Sequence, residues 1–213
     1  MRATYVSIAL ACLLTSGCVC DYPFDPANPP EEIQASIPTK APRGEDVDPF
    51  ISTWLSIDLE GVTPEEAFDA FLGLPVKDYF TGTEAFPAVA KVEVLTPAWK
   101  EAGSRRRITL VDGNTAFEQI FAADRPRYFS FSIWNFTGSS GLVIGFVLGE
   151  WWFTKTETGV HLLWRFSFRP RAWPSSWILE DVVKEDYRAY MKQIAAQFER
   201  TVEAAAAVKT RPR

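Results

Sequence analysis

Six short β-prone segments follow one another between positions 88 and 169, and that succession limits the possible folds more than any other feature of the chain. They run at about 88–97, 105–111, 116–123, 128–137, 142–155 and 160–169. The turns between them include Glu101-Ala102-Gly103, Asp112-Gly113-Asn114 and Glu157-Thr158-Gly159, each short enough for a hairpin. Strands joined this way form an antiparallel meander. Ahead of them, 50–59 alternates as a strand. Thr63-Pro64-Glu65-Glu66 then opens a helix with a cap, a first-turn proline and a capping-box acid. Ala67, Phe68, Phe71 and Leu72 give that helix its apolar face, Gly73 stops it, and 75–80 reads as a second short helical turn. A long amphipathic helix over 175–207 closes the chain, with Ile178, Val182, Ala189, Met191, Ile194, Phe198 and Val202 at three- and four-residue steps. The order is strand, two short helices, six strands, long helix: an α+β protein.

The start of the chain carries a different message. Arg2 is the only charge before Asp21, and positions 3–14 are almost wholly apolar, about the length of a signal-peptide core. Leu14-Thr15-Ser16-Gly17-Cys18 follows, and it looks like a lipobox, although Thr15 stands where leucine is usual. The expectation is a signal peptide over 1–17 and a lipid on Cys18; an ordinary secretory peptide cleaved nearby is the alternative. Cys12 would leave with the signal peptide, so only Cys18 and Cys20 remain, with no disulfide framework and no metal-type spacing. Val19, rather than Asp, after the lipid cysteine points to the outer membrane if the host is Gram-negative. The implied location is the bacterial cell envelope.

Positions 18–47 read as a tether rich in proline (23, 26, 29, 30, 38 and 42) and acids, with a strap lying on the domain as the alternative. A single domain over 48–207 and a basic tail over 208–213 complete the chain. Without Arg2, 21 basic residues face 27 acidic ones, a net charge of −6, and nucleic acid is a poor partner for such a surface. The longest later apolar run, 141–153, is interrupted by Glu150 and falls short of a membrane span.

Catalytic constellations are thin. His161 is the only histidine, and strand alternation places it with Leu163, Arg165 and Ser167, away from the more apolar Leu162, Trp164, Phe166 and Phe168. A nucleophile–histidine device would have to use it. Gly138-Ser139-Ser140-Gly141 lacks the lysine of a phosphate loop and reads as a hairpin loop. Glu118, among Phe117, Ile120 and Phe121, and Glu150, before Trp151-Trp152, are the two carboxylates whose apolar neighbours could raise their pKa for proton transfer. Solvent-facing positions are the plain alternative for both, and neither makes the chain an enzyme. Nothing in the sequence asks for a cofactor. Aromatics crowd three consecutive strands, on both parities of the segments near Tyr128 and Gly145. One sheet face therefore packs under the helix, and the other needs a cover, a partner or a membrane.

The element order, together with several local pieces, resembles the START-like (SRPBCC) superfamily of polyketide cyclases, lipid-transfer domains and birch-pollen-type allergens. Those pieces are Thr63-Pro64-Glu65-Glu66-Ala67-Phe68, Gly103 to Val111 before Asp112-Gly113, Arg125-Pro126-Arg127-Tyr128, and Gly159 to Phe168. The likeness covers roughly 50–205. It implies a helix-grip fold: a curved seven-stranded antiparallel sheet wrapped around the C-terminal helix, with a hydrophobic cavity between them. Many such domains have a glutamate at the point where Glu118 stands. The implied ligand is a hydrophobic, lipid-like or aromatic small molecule, with walls expected from Trp134, Phe136, Trp152, Trp164, Phe166 and Tyr187. Two other readings stay open: a cyclase/dehydratase-type enzyme using Glu118 or Glu150, and a ligand-free module docking another envelope protein.

Overall fold

In a computed structural model of the chain, which describes residues 50–171, 176 and 179–209, Thr63 fixes where the first helix begins. Its hydroxyl accepts the Glu66 N–H at 3.2 Å, and the Glu66 carboxylate accepts the Thr63 N–H at 2.9 Å. Two of the helix's otherwise unpaired N–H groups are satisfied in this way. The helix, α1 (Pro64–Leu72), follows β1 (Ile51–Glu60), and a single turn, α2 (Val76–Tyr79), comes next. Six strands succeed them: β2 (Val89–Val94), β3 (Arg105–Leu110), β4 (Thr115–Asp124), β5 (Tyr128–Trp134), β6 (Ile144–Lys155) and β7 (Gly159–Pro170). The signal peptide, Cys18, the tether, Ile178 and residues 210–213 of the tail lie outside the described residues.

The seven strands form one antiparallel sheet in the order β1-β7-β6-β5-β4-β3-β2. The meander from β2 to β7 is closed by β1, which pairs with β7 rather than with its sequence neighbour. Register shifts at Val89/Lys91, Ile120/Ala122 and Ile144/Phe146 mark bulges, which bend strands and increase their twist. The sheet curves, and this is the helix-grip fold.

Register then decides every facing. Trp151 pairs with Trp164 and Glu150 with Arg165, so the two pairs point to opposite sides. The inner face carries Phe129, Phe131, Val147, Trp151, Phe153, Leu162, Trp164, Phe166 and Phe168, packed with Phe68 and Phe71 of α1. Val183, Tyr187, Met191, Ile194, Phe198 and Val202 of the C-terminal helix complete this core.

Two local expectations are corrected. The segment expected to begin β6 instead forms a helical turn, α3 (Ser140–Val143), where a Cβ on Gly141 would lie 2.1 Å from the Phe136 carbonyl oxygen. The closing helix is not uniform. A π-helical stretch at Val182–Tyr187 precedes α4 (Arg188–Lys209), and the wider turn changes the buried stripe. Val183 is fully buried and Val182 only half so, while Ala189, expected on the apolar face, is exposed.

Candidate ligand cavity

A cavity of about 200 Å³ opens between the inner sheet face and the C-terminal helix. Phe129 and Phe131 from β5, Phe166 and Phe168 from β7, and Tyr187 and Tyr190 from the helix supply much of its wall. Phe86, in the loop before β2, stacks on Tyr190 with the rings 5° from parallel and 5.7 Å apart, and meets Tyr187 edge-on. Beneath Phe131 lies its register partner Gly149, where a Cβ would come within 2.5 Å of the ring. The glycine lets the ring lie flat on the strand.

The lining is apolar apart from a few groups, and one pair dominates these. Arg106 and Glu118 face each other across β3 and β4, on the inner side, and form an ion pair through the arginine Nε. Their side chains are only 12% and 8% exposed, so each charge depends on the other for compensation. The Arg106 guanidinium also sits 3.9 Å from the centroid of the Trp99 ring. The phenol of Tyr187 completes the polar end. Burial pushes its pKa well above the ordinary value, and Tyr190 and Glu118 push the same way, so it stays a neutral hydroxyl.

Of the residues expected to build the wall, Phe136, Phe166 and Tyr187 line the cavity, and so does the candidate carboxylate Glu118. Trp164 faces inward but lies in filled core, stacked on Trp151 at 4.4 Å. Trp134 and Trp152 point the other way. Trp134 belongs to a cluster with Phe146 and Leu148 on the outer face, and Trp152 packs there on Tyr128 at 5.4 Å. The reason is parity: both faces of β5 and β6 carry aromatics, and only the register with β7 tells them apart.

Glu150 is likewise on the outer face, where it receives hydrogen bonds from the Arg165 Nε at 2.8 Å and the Tyr128 hydroxyl at 3.0 Å. Burial raises its pKa, against the lowering pull of Arg165 and Tyr128. It stands on the opposite face of the sheet and does not line the cavity. His161 points outward and meets Asp58 at 2.7 Å. No group of three or more His, Cys, Asp or Glu side chains suited to a metal is found among the described residues. Arg106, Trp99, Phe131 and Phe168 were not anticipated. The β3–β4 turn is centred on Asp112, with Leu110 closing on Asn114, and this register sets Arg106 opposite Glu118; a two-residue Asp112-Gly113 turn would have set it opposite Gln119.

These features fit what comparison with known proteins returns. The family described as polyketide cyclase / dehydrase and lipid transport matches residues 54–203, most of the chain, and the protein belongs to it. The Ara h 8.0201 structure aligns with a TM-score of 0.55 at 16% identity, over 73% of this chain and 99% of its own. TTHA0849 from Thermus thermophilus gives 0.53 at 16%, over 74% and 99%. The Zhui aromatase/cyclase from Streptomyces sp. R1128 gives 0.52 at 19%, over 73% and 96%. At such identities the likeness is one of fold. A search of curated proteins finds no match.

Proposed function

We propose that this protein is a lipid-anchored component of the bacterial envelope whose domain encloses a small hydrophobic molecule with one polar end. The observation that carries the reading is an apolar cavity with a single ion pair, Arg106–Glu118, on its wall beside Tyr187. Pockets of this kind take affinity from apolar contact and orientation from a few polar groups. An engineered cavity of about 150 Å³ lined by apolar side chains already binds benzene. A space near 200 Å³ with aromatic walls therefore suits one or two rings, or a short chain, rather than a two-chain lipid. The anchor rests on the lipobox-like sequence ending at Cys18.

One observation favours a second reading. Glu118 and Tyr187 both line the cavity, so a carboxylate and a neutral hydroxyl would face a bound molecule together. That pairing could move a proton in a cyclisation or dehydration. Fluorescence titration of the protein with a neutral aromatic probe, 1-aminoanthracene, tests the binding reading. Saturable one-to-one binding, abolished by Ala116→Phe, which fills the cavity, supports it. Binding unchanged in that variant would place the probe elsewhere and remove the support.

A further inference from the structure

Three connections meet at one end of the sheet: the loop before β2, the β3–β4 turn, and the passage from β5 through α3 to β6. The Val111 N–H donates to the Ala88 carbonyl at 2.9 Å, which ties the turn to the loop before β2. The Thr137 hydroxyl donates to the Asn114 Oδ1 at 3.2 Å, which ties the same turn to the β5–β6 connection. The three therefore make one continuous rim.

The cavity reaches solvent on that rim. Pro87, Thr137 and Ser140 line it and are exposed, and all three belong to these connections. At the far end of the strands the lining residue Trp99 is only partly exposed. Two aliphatic side chains flank the mouth and are the most exposed large apolar residues among those described. Leu142 of α3 is 72% exposed and Val111 of the turn 64%. A lone exposed aliphatic is ordinary on a protein surface. These two stand on adjacent tips beside an apolar opening.

The path of the chain adds an independent reason to look here. β1 runs antiparallel to β7 with Ile51 opposite Phe168, so the described chain enters the sheet at this same end. Cys18 precedes that entry in the sequence, and an anchor on it is joined to the domain at the mouth end.

We infer that this rim docks on a lipid bilayer, with Leu142 and Val111 entering the interface, and that the cavity exchanges its ligand directly with the membrane. The inference rests on the proposed reading of the cavity as a hydrophobic site and of Cys18 as the anchor. A hydrophobic molecule dissolves far better in the bilayer than in water, so a mouth opening into the interface takes it up without a step through solvent. Two side chains are too few for the roughly 800 Å² that a stable protein interface takes from each partner. They suffice as an apolar contact for a domain already held at the bilayer by its lipid. Charge does not hold the contact, because the rim exposes an acid, Asp112, as well as a base, Arg171, whose N–H meets the Val143 carbonyl at 2.9 Å.

Co-sedimentation with phosphatidylcholine vesicles tests this on the full chain carrying Cys18→Ala, so that any binding is the domain's own. Adding Val111→Asp with Leu142→Asp should lower vesicle partitioning by about tenfold or more. Raised salt should leave the binding of the parent chain unchanged. Val94→Asp with Leu95→Asp alters the other two exposed large aliphatics, at the far end of β2, and should have no effect. No vesicle binding by the Cys18→Ala chain, equal loss in the two double variants, or release by salt overturns the inference. Uptake of 1-aminoanthracene from solution, measured on the same proteins, separates it from the cavity reading. Normal uptake beside absent vesicle binding overturns the docking and leaves the cavity standing. Vesicle binding by a chain that takes up no probe overturns the exchange together with the cavity reading.

Discussion

Arg106 and Glu118 sit directly across from each other in the β3–β4 ladder, and they put the cavity's only ion pair among the described residues where a bound molecule would meet it. A charge pair in an apolar pocket is rarely there for stability, since desolvation takes back much of the attraction. Its value lies in orienting whatever shares the space.

The double variant Arg106→Gln with Glu118→Gln removes both charges without leaving either one buried alone. The fold should remain within about 1–2 kcal/mol of the parent by chemical denaturation. Affinity for a probe with a polar end should fall about tenfold, or about 1.4 kcal/mol. A wholly apolar probe should bind as before. Equal loss for both probes would mean that the pair supports the cavity's shape instead of reading the ligand.

Glu150 and Arg165 form the second buried pair, on the other face. Glu150→Gln alone leaves the Arg165 charge buried with no countercharge and should cost about 3–5 kcal/mol. Replacing both, as Glu150→Met with Arg165→Met, should cost far less. A double-mutant cycle by thermal or denaturant unfolding checks this. Additive losses would show that the two groups do not depend on each other.

The pH dependence of stability follows from two carboxyls with opposite shifts. Burial raises Glu150, so it binds its proton more tightly folded than unfolded. The stability this gives is present below the ordinary value of about 4.3 and is lost as pH rises through the folded value. Asp69 is held low by its hydrogen bond to Arg125, so its contribution is present above about 3.9 and is lost as pH falls through its folded value. That pair is half-exposed, and its contribution stays at or below about 1 kcal/mol. Carbon-detected NMR titration should find the Glu150 midpoint above the Asp69 midpoint. The reverse order contradicts the assignment of burial as the dominant cause.

Cys18 is expected to carry lipid. Cys18→Ala should release the protein from the membrane fraction and remove the acyl mass. A variant that stays membrane-bound, with no change in mass, rules out the anchor.

The fold was readable because its signals are local and repeated. The Thr63–Glu66 box, the hairpin glycines and the strand periods each needed only a few residues of context. The wall of the cavity was harder to read. Trp134 and Phe136 lie two residues apart near the end of one strand, but Trp134 joins the outer cluster while Phe136, beyond the last paired residue, reaches the cavity. Trp151 and Trp152 are neighbours with opposite facings, and no composition argument tells which is inside. The π-helical stretch at Val182–Tyr187 escaped for a related reason. Val182 and Val183 both suit a core, and the wider turn selects the second. Arg106 was hidden in a run of three arginines, Arg105 to Arg107, of which strand parity sends only the middle one inward.

Whether the cavity holds a small hydrophobic molecule can be read by native mass spectrometry of the protein purified from its own host. The spectrum should show a one-to-one adduct, one or two rings or a short chain in size, that organic extraction removes and that Ala116→Phe fails to retain. A bare protein mass from the host, with no uptake of hydrophobic probes afterwards, would contradict it.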